Sequence, residues 1–193
     1  GLSVGSTTLL TAIWALGALI GFILAGRGLA QGRNPFRIAG TGILLGIIAF
    51  STVIFAAPMA SIAMFFAGAS LIGLGSGLFA VSTLTAAMTL PVRGSAGHGL
   101  ALGAWGAATA TAAGLAIAFG GALRDAITTL ATNGMFGETL EPVTTGYSFV
   151  YHTEIGLLFF TLMILGPLVR TGRNARQTTK EEAARIGLAD FPT

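Results

Sequence analysis

The side chains able to do chemistry are few and widely spaced. The chain has 193 residues, with two histidines, seven acids and no cysteine. Glu154 is the most unusual of them, because it falls inside an apolar stretch that begins near Tyr147. At about 1.5 Å of rise per residue, it would sit roughly 10 Å into a helix starting there. A carboxylate at that depth costs about 2.5–3.5 kcal/mol on insertion scales unless it is paired, protonated or facing water. His152 precedes it by two residues, which turns the two side chains to different helix faces. Either could be a ligand or a proton-handling group. The plainer alternative pairs Glu154 with Arg124 and leaves His152 at the interface, beside the aromatic belt residues Tyr147 and Tyr151. His98 precedes another apolar stretch. A neutral imidazole can ligate a metal ion, and a solitary interfacial one is equally suited to solvation or capping.

Signatures of soluble enzymes are missing. The sequence contains no HExxH, no Walker loop, no nucleophile elbow and no cluster of paired carboxylates. Without cysteine there is no disulfide framework, thiolate metal site or cysteine nucleophile. Hydrolytic or redox catalysis has little to work with, so the expectation is a non-enzymatic protein.

What positions these groups follows from composition. Hydrophobic residues make up 53% of the chain and charged residues 9%, and the mean hydropathy is +0.83. Soluble domains carry about 25% charged residues, so the natural solvent here is lipid. A spanning helix needs about 20 mostly apolar residues. Five stretches qualify, at about 7–25, 38–57, 60–88, 99–123 and 147–169. The fold class is therefore all-α, a polytopic membrane helix bundle over residues 1–173, followed by a polar tail at 174–193. In the tail, Thr178 with Glu181, or Thr179 with Glu182, can form a capping box for a short helix. The fourth stretch carries Gly99, Gly103, Gly106 and Gly114, several of them spaced to share one helical face. Such a face admits either another helix backbone or a flat ligand. The third stretch repeats the habit through Gly68, Gly73, Gly75 and Gly77.

The connections alternate in charge. Nine of the ten basic residues fall on one side: Arg27, Arg33 and Arg37, then Arg93, then the five from Arg170 to Arg185. The other side has only Arg124, beside Asp125, with Glu138 and Glu141 nearby. The positive-inside rule makes the nine cytoplasmic, the first residue periplasmic and the C-terminus cytoplasmic. Spread over separate loops beside apolar helices, these charges suit topology and lipid headgroups, not nucleic acid.

The first basic loop, Gly21–Arg37 (GFILAGRGLAQGRNPFR), resembles the loop motif of major facilitator transporters, with Gly21, Arg27, Gly32, Arg33 and Arg37 in its glycine and basic positions. Gly26 stands where that family usually has an acid, a departure that puts its charge-relay gate in doubt. Longer segments resemble the PucC/LhaA group, the bacteriochlorophyll-delivery branch of that superfamily in purple phototrophic bacteria. They are Gly75–Met88 (GSGLFAVSTLTAAM), Leu102–Gly106 (LGAWG), Gly120–Asp125 (GGALRD), Thr145–Ile155 (TGYSFVYHTEI) and Gly187–Pro192 (GLADFP).

This resemblance implies a twelve-helix fold in which the five stretches are helices eight to twelve and about seven helices precede them. It also implies a role in assembling light-harvesting complexes, by binding bacteriochlorophyll, with carotenoid as a further pigment, and delivering it to antenna polypeptides. The reaction centre and pigment-synthesis enzymes are further expected partners, in the photosynthetic intracytoplasmic membrane. On that reading His98, His152 and Glu154 become candidate pigment-binding residues, with magnesium only as the ion inside a bound chlorin. A proton-coupled transporter using Glu154, or a structural subunit of a photosynthetic supercomplex, are the alternatives.

Overall fold

The computed structural model describes residues 4–90, 95–135, 137 and 142–189, and the side chains of 4–90, 97, 99–135, 137 and 144–169. The described chain forms five helices: α1 (Val4–Ala30), α2 (Pro35–Ala56), α3 (Ile62–Met88), α4 (Ser95–Thr132) and α5 (Pro142–Ala189). Each contains an apolar stretch long enough to cross a membrane, running in α4 over Gly99–Thr132 and in α5 over Thr144–Val169. A multi-pass membrane protein is the result.

The ends of α1, α4 and α5 reach past the expected spans, because hydropathy marks only the lipid-immersed part. Internal backbone hydrogen bonding carries the helix into the headgroup region without interruption. α4 runs past the expected end of its stretch at 123 and stops at Asn133–Gly134. There the Met135 amide donates to the Leu130 carbonyl and the Gly134 amide to that of Ala131, with Gly134 at φ 75°. No helix break separates the bundle from the tail, since α5 runs on to Ala189. The tail capping box lies outside the described side chains.

The short α1–α2 turn is built from its sequence. The Arg33 amide reaches the Gly28 carbonyl and the Gly32 amide that of Leu29, a Schellman ending with Gly32 left-handed at φ 76°. Asn34 then caps α2 by accepting from the Phe36 amide at 2.8 Å, and Pro35 opens the helix. The α2–α3 turn uses the same hydrogen bonds, Ser61 amide to Ala56 carbonyl and Ala60 amide to Ala57 carbonyl. Here, however, the left-handed residue is Ala60, at φ 48°. A Cβ in that region costs about 1–2 kcal/mol, partly offset by the smaller unfolded-state entropy of alanine. Gly32→Ala should therefore destabilise by about 1 kcal/mol, and Ala60→Gly should stabilise by a comparable amount. Unfolding midpoints in detergent read both, and shifts of the same sign would contradict the strain.

In lipid, helices gain little by hiding apolar surface from one another, so close backbone approach decides the packing. α3 lies between α1 and α2. Against α1, a Cβ added at Gly17 would strike the Ser70 carbonyl, one at Gly73 the Trp14 carbonyl and one at Gly77 the Ala18 carbonyl. Against α2, Gly42 and Gly75 face each other's carbonyl oxygens, 2.6 and 2.7 Å from where a Cβ would stand. Matching positions rise together along α1 and α3 and run oppositely along α2 and α3, as alternate crossings require. α2 in turn packs on α5, with Gly46 against Leu158 and Gly40 against Leu162 and Leu165. The buried residues Ala39, Ile43 and Leu165 form the core there.

α4 behaves differently from the expectation drawn from its glycines. Gly99, Gly103, Gly106 and Gly114 have nothing within 4 Å of an added Cβ. α4 meets α5 near Gly120 and Gly146, and reaches α3 through the Trp105 indole, which donates to Thr83 Oγ1 at 3.3 Å. No described helix opposes its small-residue face. Among the described residues, the close glycine contacts between backbones centre on α3, with Gly146 of α5 adding one against α4.

Candidate functional site at the aromatic end of the bundle

The turn carrying Arg27, Arg33 and Arg37 defines one end of the bundle. Its opposite end gathers the α2–α3 turn, the distal part of α4 and the start of α5. Tyr147, Tyr151 and Glu154 recur along α5 at spacings of four and three, which places them on one stripe of the helix. Leu158, which packs on α2, continues it.

The two tyrosine rings stack at 6.3 Å, and Tyr151 also meets Phe50 of α2 at 5.9 Å. From α4, Arg124 Nη1 donates to the Tyr147 hydroxyl at 3.1 Å. Its guanidinium carbon stands 5.5 Å from the Tyr147 ring centroid. Arg124 Nε donates to Asp125 Oδ1 at 2.9 Å, completing a local ion pair. Gly146 allows this approach, because a Cβ there would lie 2.9 Å from the Arg124 carbonyl.

These contacts correct the expected Arg124–Glu154 ion pair. The guanidinium is held by Asp125 and Tyr147, while Glu154 lies seven residues, or about 10 Å, further along α5. Glu154 is half-buried and takes no hydrogen bond or ion pair among the described residues. His152 is exposed, and its Nδ1 is tied to the Ser148 carbonyl at 2.7 Å within α5. The two do diverge to different faces. His98 lies outside the described side chains, as do Arg93 and the basic residues from Arg170 onward. Of the loop motif, Gly21 is buried against α3 and Gly32 makes the turn, while Arg27, Arg33 and Arg37 are exposed together at the other end.

Between α2, α3 and α5 the same end holds a cavity of about 760 Å³, with Val53, Pro58, Ile62, Phe65, Tyr147 and Tyr151 in its walls. A smaller chamber of about 270 Å³ adjoins it toward α1, against Trp14, Ala69 and Ile72. Val53, Phe65 and Tyr151 line both. The walls are largely apolar, with hydroxyls from Ser61, Thr144, Tyr147, Ser148 and Tyr151. Among the described residues no histidine or acid lines either chamber, and no group of His, Cys, Asp or Glu that could hold a metal occurs. Sequence reasoning took Tyr147 and Tyr151 as belt residues and missed Trp14, Val53 and Phe65. Nothing local marks them, since they come together only through helix packing.

Five apolar spans, with an apolar cavity between α2, α3 and α5, define a polytopic α-helical membrane protein. The chain belongs to the PUCC protein family, whose family model matches residues 1–173. In Rhodobacter capsulatus, a protein described as "Uncharacterized protein in puhA-bchM intergenic region" is 54% identical over 193 residues, all of this chain and 40% of that protein. Protein PucC of Cereibacter sphaeroides is 40% identical over 176 residues, 91% of this chain and 37% of that protein. Protein PucC of Rhodobacter capsulatus is 41% identical over 174 residues, 89% of this chain and 36% of that protein. The chain thus spans 40% or less of the length of these relatives. No solved structure matches.

Proposed function

We propose that this chain is the C-terminal part of a light-harvesting assembly factor that binds bacteriochlorophyll and delivers it to antenna polypeptides, without enzymatic chemistry of its own. Carotenoid is a second pigment of suitable shape, and the reaction centre or pigment-synthesis enzymes are further docking partners. The observation that carries the reading, beside family membership, is the apolar cavity at the aromatic end. Its volume lies in the range of sites for medium-sized ligands, about 300–1,000 Å³. Its hydroxyls suit an amphipathic ring system bearing carbonyl groups. We place the protein in the intracytoplasmic photosynthetic membrane, with the arginine end cytoplasmic by the positive-inside rule.

Absorption spectra of the full-length protein, purified in mild detergent, test this directly. Bound bacteriochlorophyll and co-purifying antenna polypeptides are expected. Reproducible absence of both would overturn the proposal. Presence in mature photosystems at fixed stoichiometry would instead favour a structural subunit.

One observation favours a second reading. Glu154 is half-buried within a span and unpartnered among the described residues, as a titrating group in a proton-coupled transporter would be.

A further inference from the structure

The two adjoining chambers differ in a way that bears on what they hold. The larger has hydroxyls in its wall and is bounded by the α2–α3 turn and the start of α5. The smaller lies deeper, running down α3 from Phe65 to Ile72, about 10 Å further along the helix. Its only polar side chains besides the Trp14 indole are Thr11 and Tyr151. Thr11 already donates within α1 to the Thr7 carbonyl. At about 270 Å³ it falls below the usual range of sites for whole drug-sized ligands. That volume suits a length of chain better than a whole macrocycle.

Two tyrosine hydroxyls of the larger chamber can recognise such a molecule at its polar end. Tyr147 accepts from Arg124, which leaves its own proton to donate, and Tyr151 takes no hydrogen-bond partner among the described residues. His152 lines neither chamber.

Resting on the pigment-binding reading above, we infer that the two chambers divide one amphipathic ligand. The carbonyl-bearing ring body lies in the larger chamber beside Tyr147 and Tyr151, and a long isoprenoid tail enters the smaller one against Trp14. Recognition is then by hydroxyl donors and tail length, with no imidazole ligand from His152.

The test uses full-length protein in detergent and two probes, a chlorin carrying its long isoprenoid ester and the same chlorin with the ester hydrolysed. Wild type should bind the esterified form about tenfold more tightly, a difference of about 1.4 kcal/mol. Thr11→Trp places a bulky ring into the smaller chamber from an exposed position. It should erase that preference while leaving the hydrolysed chlorin's affinity unchanged. Tyr151→Phe, which keeps the ring and loses only the hydroxyl, should weaken both chlorins equally, and His152→Ala should weaken neither. Chlorin binding without tail preference, or a preference that survives Thr11→Trp, overturns the inference and leaves the pigment reading standing. A polyprenyl quinone serves as third probe. If neither chlorin binds, but the quinone does and is lost in Thr11→Trp, the pigment reading fails while the division of chambers holds. Failure of all three probes overturns both.

Discussion

Gly73→Leu should prevent stable accumulation of the protein. The added Cβ alone would collide with the Trp14 carbonyl and stand 3.0 Å from the Ala18 amide nitrogen. These are backbone atoms and cannot swing aside as a flexible side chain would. Overpacking typically costs about 1–3 kcal/mol, against a total stability of about 5–15 kcal/mol. At Gly73 the penalty should reach the upper end or beyond, because α1 must separate from α3 along its length. Trp14 would move with it, opening the smaller chamber. Gly106→Leu is the matched control, since nothing lies within 4 Å of its added Cβ. Membrane-fraction yield and thermal midpoint should fall sharply for Gly73→Leu and stay near wild type for Gly106→Leu. Equal loss in both would mean that another helix of the full-length protein covers α4.

A second large effect is expected at Glu154. Glutamine retains its size, an acceptor and a donor, but can neither carry charge nor release a proton, and leucine retains none of the polar functions. For a delivery factor that uses Glu154 as a hydrogen-bonding group, Glu154→Gln should support antenna assembly close to wild type. Glu154→Leu should reduce it about tenfold, the loss of one hydrogen bond of about 1.5 kcal/mol. Membrane insertion of both variants should remain normal, since neither loses a partner among the described residues. Antenna absorbance per cell, normalised to the amount of variant protein, is the measurement. Loss with glutamine as well would support the proton-coupled reading, in which release of the proton is the essential step.

The five spans were legible from hydropathy because lipid imposes one rule on every residue it touches. Helix ends were less so, since the headgroup region tolerates both helix and loop. The glycine habit was visible on both the third and fourth stretches, yet only α3 uses it inside this chain. Spacing alone says that a face is smooth, and the neighbour that meets it is a property of the tertiary arrangement. Arg124 beside Asp125 could be read from adjacency, whereas its bond to Tyr147 spans 23 residues and needed the α4–α5 packing. The cavity was hidden for the same reason, since Trp14, Phe65 and Tyr151 stand far apart in sequence. Glu154 stands out in the sequence as an acid within a span, but the guanidinium suggested for it is held by Asp125 and Tyr147, two helical turns away.

α5 runs unbroken from Pro142 to Ala189, a rod of 48 residues, or about 72 Å. It begins at the aromatic end, beside the cavity, and leaves the bundle at the arginine end. Pro167 sits just past its midpoint and removes one of the backbone hydrogen bonds that would stiffen it. One continuous element thus joins the tyrosines that wall the cavity to the segment beyond Pro167, linking the two ends of the bundle through α5.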